Sequence, residues 1–205
     1  MRVLCITNRG LSNLPWEEQI RKVISAGPDG IILREKDLTR EGYLKLADQT
    51  RKLCLEGHVP FFYHGIKEEN LFDNLSNFPE GEINAHLTMR EFKRLVEEGG
   101  DRQKFHIIGV STHSVEEAVY CQEHGADYIT ASHIFPTDCK KGLAPRGLAY
   151  LSEVCRTVKI PVYALGGINP DNAESCLKAG AYGVCVMSLC MREDADQVLK
   201  NMIDR

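Results

Sequence analysis

Residues 162–188 read VYALGGINPDNAESCLKAGAYGVCVMS. Val162–Leu165 is an apolar run of strand length, and a glycine pair interrupts it. Asn169-Pro170 then supplies a cap and a first helical residue, so a helix is expected over Pro170–Ala179 and a further strand over Gly183–Met187. Strand, short turn, helix, strand is the unit from which parallel sheets are built. Working outward, the same alternation recurs. Strands are expected at Val3–Thr7, Gly30–Leu33, Pro60–Tyr63, Ile83–Leu87, His106–Val110 and Tyr128–Ser132. Helices are expected at Trp16–Ser25, Arg40–Glu56, Glu68–Asn77, Met89–Glu98, Val115–Glu123, Leu148–Thr157 and Asp194–Ile203. Eight strands alternating with eight helices in 205 residues fit one α/β domain over residues 1–205, a closed (β/α)8 TIM barrel with brief loops. An open doubly wound sheet is the runner-up, weakened because no G-x-G-x-x-G follows the first strand.

Local signals agree with these boundaries. Tyr43, Leu46, Ala47, Thr50, Leu53 and Cys54 form one helical stripe. Thr88–Glu91 and Ser114–Glu117 have capping-box spacing. The segment 66–82 is polar and irregular. Hydrophobic residues make up 43% and charged residues 26%, with net charge −4; this balance argues against nucleic acid or an anionic membrane as the main partner. The opening MRVLCITNRG reads as a strand, and no apolar run reaches the ~20 residues of a membrane span. A cytoplasmic location is expected. None of the eight cysteines forms a C-x-x-C pair, so reduced core thiols are expected rather than a zinc knuckle. Cys139, in a polar loop beside Lys140 and Lys141, is the exception and raises the idea of a reactive thiol.

In an eight-fold barrel the chemistry sits where strands run into loops. Gly166 and Gly167 end the seventh strand ahead of a helix, and Met187 and Ser188 end the eighth. Backbone amides there are expected to hold a phosphate. Arg34 and Lys36, at the end of the second strand, are candidates for an anionic group. Other strand ends carry His64, His86, Ser111, His113 and His133, followed by Thr137 and Lys140.

Five short stretches then stand in one order at fitting spacings: ILREK (32–36), IGVSTHS (108–114), ADY (126–128), IFPTDCK (134–140) and LGGI (165–168). Across most of its length the chain resembles thiamin phosphate synthase and its sister group, the TenI-type thiazole tautomerases. The likeness is weakest over 65–82. It implies the barrel fold, a small-molecule thiazole phosphate ligand and self-association. The synthase joins a pyrimidine diphosphate to a thiazole phosphate with Mg²⁺. It typically has Asn-Asp after the third strand, where this chain has His64-Gly65, and a Gln where this chain has Ile32. Glu91 is the nearest candidate for a second metal carboxylate, and the capping box accounts for it more simply.

Ser132-His133, by contrast, stands where the tautomerase places its catalytic histidine. The leading expectation is therefore an isomerase that aromatises a carboxythiazole phosphate, with His133 as base and acid. Arg34, Lys36, His64, Ser111, Thr137 and Lys140 would bind substrate, and Gly166, Gly167, Met187 and Ser188 its phosphate. No metal or cofactor is expected in that case. The alternatives are thiamin phosphate synthase, which would bring Mg²⁺, and a non-catalytic regulatory or thiazole-phosphate-binding protein.

Overall fold

The apolar runs pair edge to edge in chain order. The structure is a computed structural model that describes residues 1–65, 82–100 and 102–204. Its strands are β1 (Arg2–Ile6), β2 (Gly30–Leu33), β3 (Phe61–His64), β4 (Ile83–Thr88), β5 (Phe105–Thr112), β6 (Tyr128–Ser132), β7 (Val162–Leu165) and β8 (Gly183–Val186). All pair in parallel and close into a barrel in the order β1 to β8. The closing seam joins β1 to β8, from Arg2 against Gly183 to Cys5 against Val186. The described helices are α1 (Trp16–Ser25), α2 (Arg40–Glu56), α3 (Met89–Glu97), α4 (Val115–Glu123), α5 (Gly147–Thr157), α6 (Ala173–Lys178) and α7 (Ala195–Ile203). The helix expected at Glu68–Asn77 lies outside the described residues. None of the described helices is long and apolar enough to cross a membrane.

Alternation along the strands divides the core in two. One set of side chains joins the helices in a single buried cluster, which includes Ile31, Leu33, Ile83 and Leu87 of the strands with Tyr43, Ala47, Phe92 and Leu95 of the helices. Phe92 is 1% exposed, so truncating it to alanine should cost about 3–5 kcal/mol. The other set fills the barrel interior: Leu4, Ile6, Ile32, Phe62, Tyr128, Tyr163 and Cys185 form an apolar plug. Above the plug the interior turns polar, with His64, His86, Thr130, Ser132 and His133 all buried. That change from apolar to polar marks the functional end of the barrel.

Helix starts follow the sequence signals with two differences. Thr88 and Glu91 form the full capping box at α3. At α4, Ser114 accepts from Glu117 N–H, but the Glu117 carboxylate reaches one residue further back, to His113 N–H at 2.6 Å. Ahead of α6, Asn169 does cap the chain, its Oδ1 accepting from Asp171 N–H (2.9 Å) and Asn172 N–H (3.1 Å). The α-helix proper starts only at Ala173.

Polar ties fix the two chain ends. Gln19 of α1 is fully buried. Its Nε2 donates to the carbonyls of Cys190 (2.9 Å) and Arg192 (3.0 Å), and its Oε1 accepts from Ser12 Oγ (2.8 Å). The N-terminal ammonium donates to carbonyls in α7, at Met202 and Ile203. All eight cysteines are free thiols, six of them buried.

Candidate active site

A cavity of about 280 Å³ opens at the C-terminal mouth of the barrel. Its wall contains each residue expected to act on or bind the substrate, Arg34, Lys36, His64, Ser111, His133, Thr137, Lys140, Gly166, Gly167, Met187 and Ser188, but not His86, which lies below it. It also contains residues that were not put forward as ligand contacts, notably Thr88, His113, Ser132 and Cys139. Among the described residues the lining carries three cationic side chains and no carboxylate. The cavity is thus polarised toward anions.

The glycine pair shapes one end. Gly166 has φ +100° and Gly167 φ +67°, both in the left-handed region that a side chain resists. Space forbids a side chain as well: a Cβ on Gly166 would lie 2.8 Å from His133 Cα, and one on Gly167 2.8 Å from Phe135 Cβ. The β6 loop therefore packs directly on the β7 loop, with Ile134 N–H donating to Leu165 carbonyl and Phe135 N–H to Gly166 carbonyl, both at 3.0 Å. His133 is held in this joint. Its carbonyl accepts from Arg146 N–H (2.9 Å) and its Nε2 lies 3.4 Å from the Leu143 carbonyl.

The cationic wall is set by a buried carboxylate, Glu35, which stands between Arg34 and Lys36 in the sequence. Glu35 points back under the rim, away from Arg34 and Lys36. It accepts from Thr7 Oγ1 (2.7 Å) and, through both oxygens, from Arg9 N–H (3.0 Å each). Thr7 Oγ1 in turn accepts from Arg34 N–H (3.0 Å). Burial raises the Glu35 pKa above the usual carboxylate value, against the pull of these hydrogen bonds and of Arg9. Across the cavity, partial burial lowers the Lys140 pKa, with Arg146 adding to the effect.

Two histidines of the wall, His64 and His113, and His86 beneath it are held toward their neutral forms. Burial is the main cause for each. His64 is lowered further by His86, Arg34 and Lys36, and His113 by Lys140. His86 is pushed down to about 3. Among the described residues His64 Nδ1, which is buried, has no hydrogen-bond partner. Its backbone N–H donates to Tyr43 Oη (3.0 Å), which also bonds the Leu33 carbonyl (2.9 Å) and so latches the ends of β2 and β3. The carboxylate of Glu91 fills the space a side chain on Gly65 would need.

Comparison with known proteins places this geometry. The thiamine monophosphate synthase family profile matches residues 93–190. A thiamine-phosphate synthase from Methanocella arvoryzae is 36% identical over 200 residues, covering 96% of this chain and 91% of that protein. One from Shouchella clausii is 35% identical over 172 residues, covering 83% of this chain and 78% of the other. Among solved structures, the thiamine phosphate pyrophosphorylase from Pyrococcus furiosus superposes with a TM-score of 0.80 at 30% identity, covering 99% of this chain and 94% of that one. These names correct the leading sequence expectation. The relatives are transferases by name, so the reading of the chain as a thiazole tautomerase, an isomerase with His133 as its base, is set aside.

Proposed function

The chain belongs to the thiamine-phosphate synthase family, and from that premise we propose that it is a transferase joining a pyrimidine diphosphate to a thiazole phosphate with release of diphosphate. The observation that carries the reading is a single cavity offering two separate kinds of anion site. Arg34, Lys36 and Lys140 supply charge, whereas Gly166–Gly167 and Met187–Ser188 supply close backbone approach beside the loops after β7 and β8. A reaction between two phosphorylated heterocycles needs both.

In this reading the cationic wall takes the diphosphate and the glycine end takes the thiazole phosphate. The bond from the pyrimidine's carbon to the diphosphate oxygen breaks as a new bond to the thiazole forms. Negative charge then gathers on the leaving diphosphate, where the guanidinium and the two ammonium groups stabilise it. Glu35 keeps Arg34 in place through Thr7. His133 lines the space between the two ends and contacts the thiazole.

The family resemblance implies Mg²⁺. A hard cation of this size wants several oxygen ligands. Among the described residues no group of three or more His, Cys, Asp or Glu is placed to hold a metal ion. Gly65 offers no side chain. Glu91 commits Oε2 to Thr88 N–H and Oγ1, both at 2.7 Å. The described residues do not fit the ion, and no step is assigned to it.

The test is direct. Purified protein supplied with the pyrimidine diphosphate and the thiazole phosphate should release diphosphate and form the coupled product in equal amounts, and Arg34→Ala should slow both. Absence of coupled product from correctly folded protein, with and without added Mg²⁺, would refute the reading.

A further inference from the structure

Beneath the cavity floor a polar chain crosses three strands. Tyr128 of β6 reaches up from the apolar plug, its ring occupying the space a side chain on Gly109 of β5 would take. Its Oη lies 2.9 Å from Nδ1 of His86 on β4. The other ring nitrogen of His86, Nε2, lies 2.9 Å from Ser111 Oγ on β5. Thr130 Oγ1, on β6 and fully buried, adds a 3.4 Å bond to the same oxygen. Tyr128 and His86 are both buried, and Ser111 faces the cavity.

We propose that Tyr128 and His86 are positioning residues that leave the Ser111 hydroxyl one free role, that of hydrogen-bond donor to an anionic ligand oxygen. The inference rests on the cavity being an anion site, as read above.

The direction of each bond follows from counting protons. Among the described residues His86 Nδ1 is the partner of the Tyr128 hydroxyl, and a buried hydroxyl hydrogen left unbonded is costly. Tyr128 therefore donates to Nδ1. A neutral imidazole carries one N–H, and burial keeps His86 neutral. That N–H must sit on Nε2, where it donates to Ser111 Oγ. Thr130 has no other acceptor for its hydroxyl among the described residues, so it donates to the second lone pair of the same oxygen. Ser111 Oγ is then filled as an acceptor, and its own hydrogen points to the cavity. The opposite tautomer would make Ser111 spend its hydrogen on His86 and present lone pairs to an anion, which repels it.

Two measurements test this on the full chain. Nitrogen-15 spectra of the histidine rings, with His86 assigned through its backbone, read the tautomer in the wild-type protein. We expect Nε2 protonated and Nδ1 bare at neutral pH. A proton on Nδ1, or an imidazolium, overturns the proposal. Calorimetric titration with inorganic diphosphate reads the consequence. Ser111→Ala should weaken binding about tenfold, the loss of one hydrogen bond to a charged group. His86→Leu should do the same, and His86→Gln, whose amide N–H can still donate to Ser111, should restore most of the affinity. Equal weakening by Leu and Gln in folded proteins overturns the positioning role. Should His86→Leu fail to fold, the wild-type tautomer and Ser111→Ala still decide the matter. Neither measurement depends on the coupling reaction, so failure of that assay leaves this inference separately testable.

Discussion

Acid should unfold this barrel in part through one histidine. Burial lowers the His86 pKa from the ordinary histidine value of 6.5 to about 3 in the folded chain. Below pH 6.5 the unfolded chain takes up a proton at His86, and the folded chain takes none until near pH 3. The unfolded state then binds more protons, so stability falls as pH falls through that window. Between about pH 8 and pH 5 the loss is set by the 1.5 units below the unfolded pKa, about 2 kcal/mol at 1.36 kcal/mol per unit. That is a sizeable share of the 5–15 kcal/mol typical of a whole domain. His64 and His113, also lowered, act in the same direction. Glu35, raised by burial, acts oppositely: the folded state holds its proton to higher pH, so stability is lost as pH rises through its window. Comparing wild type with His86→Gln, which cannot titrate but can bridge Tyr128 and Ser111, isolates the one group. Urea unfolding at both pH values should show an acid penalty about 2 kcal/mol smaller in the variant. Equal acid penalties in the two proteins would show that His86 is not held neutral, and the argument from burial would fail.

Three further outcomes follow from the site. Gly167→Ala forces a Cβ to within 2.8 Å of Phe135 Cβ at a φ of +67°; it should cost about 1–3 kcal/mol in chemical unfolding and weaken thiazole phosphate binding measured by calorimetry. Arg34→Ala should lower kcat/KM for coupling about 10- to 100-fold, with Arg34→Lys recovering part of it, since a point charge replaces a planar fork. Glu35→Ala removes the acceptor of Thr7 Oγ1 and Arg9 N–H; the KM for the diphosphate substrate should rise severalfold in steady-state kinetics while the barrel stays folded by circular dichroism.

The sequence made the barrel readable where local signals were strong. β2, β6, β7, α1, α2 and α4 fall on the residues expected, because glycine, proline and hydroxyl caps bound apolar runs of one period. β5 runs further than expected, over Phe105–Thr112. Ser111 and Thr112 look like loop residues by composition, yet they continue the strand because their neighbours on β6 complete the hydrogen bonding. Site residues at strand ends were legible from topology alone. Glu35 was not, because four charged residues in a row, Arg34 to Asp37, do not say which one turns inward. Nor was the Tyr128–His86–Ser111 chain, which depends on register across three strands. Asp127 belongs to a stretch that carries the family likeness, but it works at the far end of the barrel, bonding Ile108 N–H and Arg102 at 2.6 Å each. The choice of reaction was beyond a motif reading. A histidine beside the cavity suits more than one chemistry on the same barrel, and it was the names of relatives aligned over most of the chain that told against the tautomerase.

Gln19 has a consequence beyond packing. It bolts the stretch just past Ser188 onto the first helix, so the anion cradle proposed at Met187–Ser188 lies against the joint where the first and last staves of the barrel meet. A guest seated there acts as a clasp on the hoop. At a hundredfold excess over its Kd it should add about 2.7 kcal/mol to the barrel. The gain should appear first as slower fraying and proteolysis at the two chain ends, far along the sequence from one another yet sharing a single fastening.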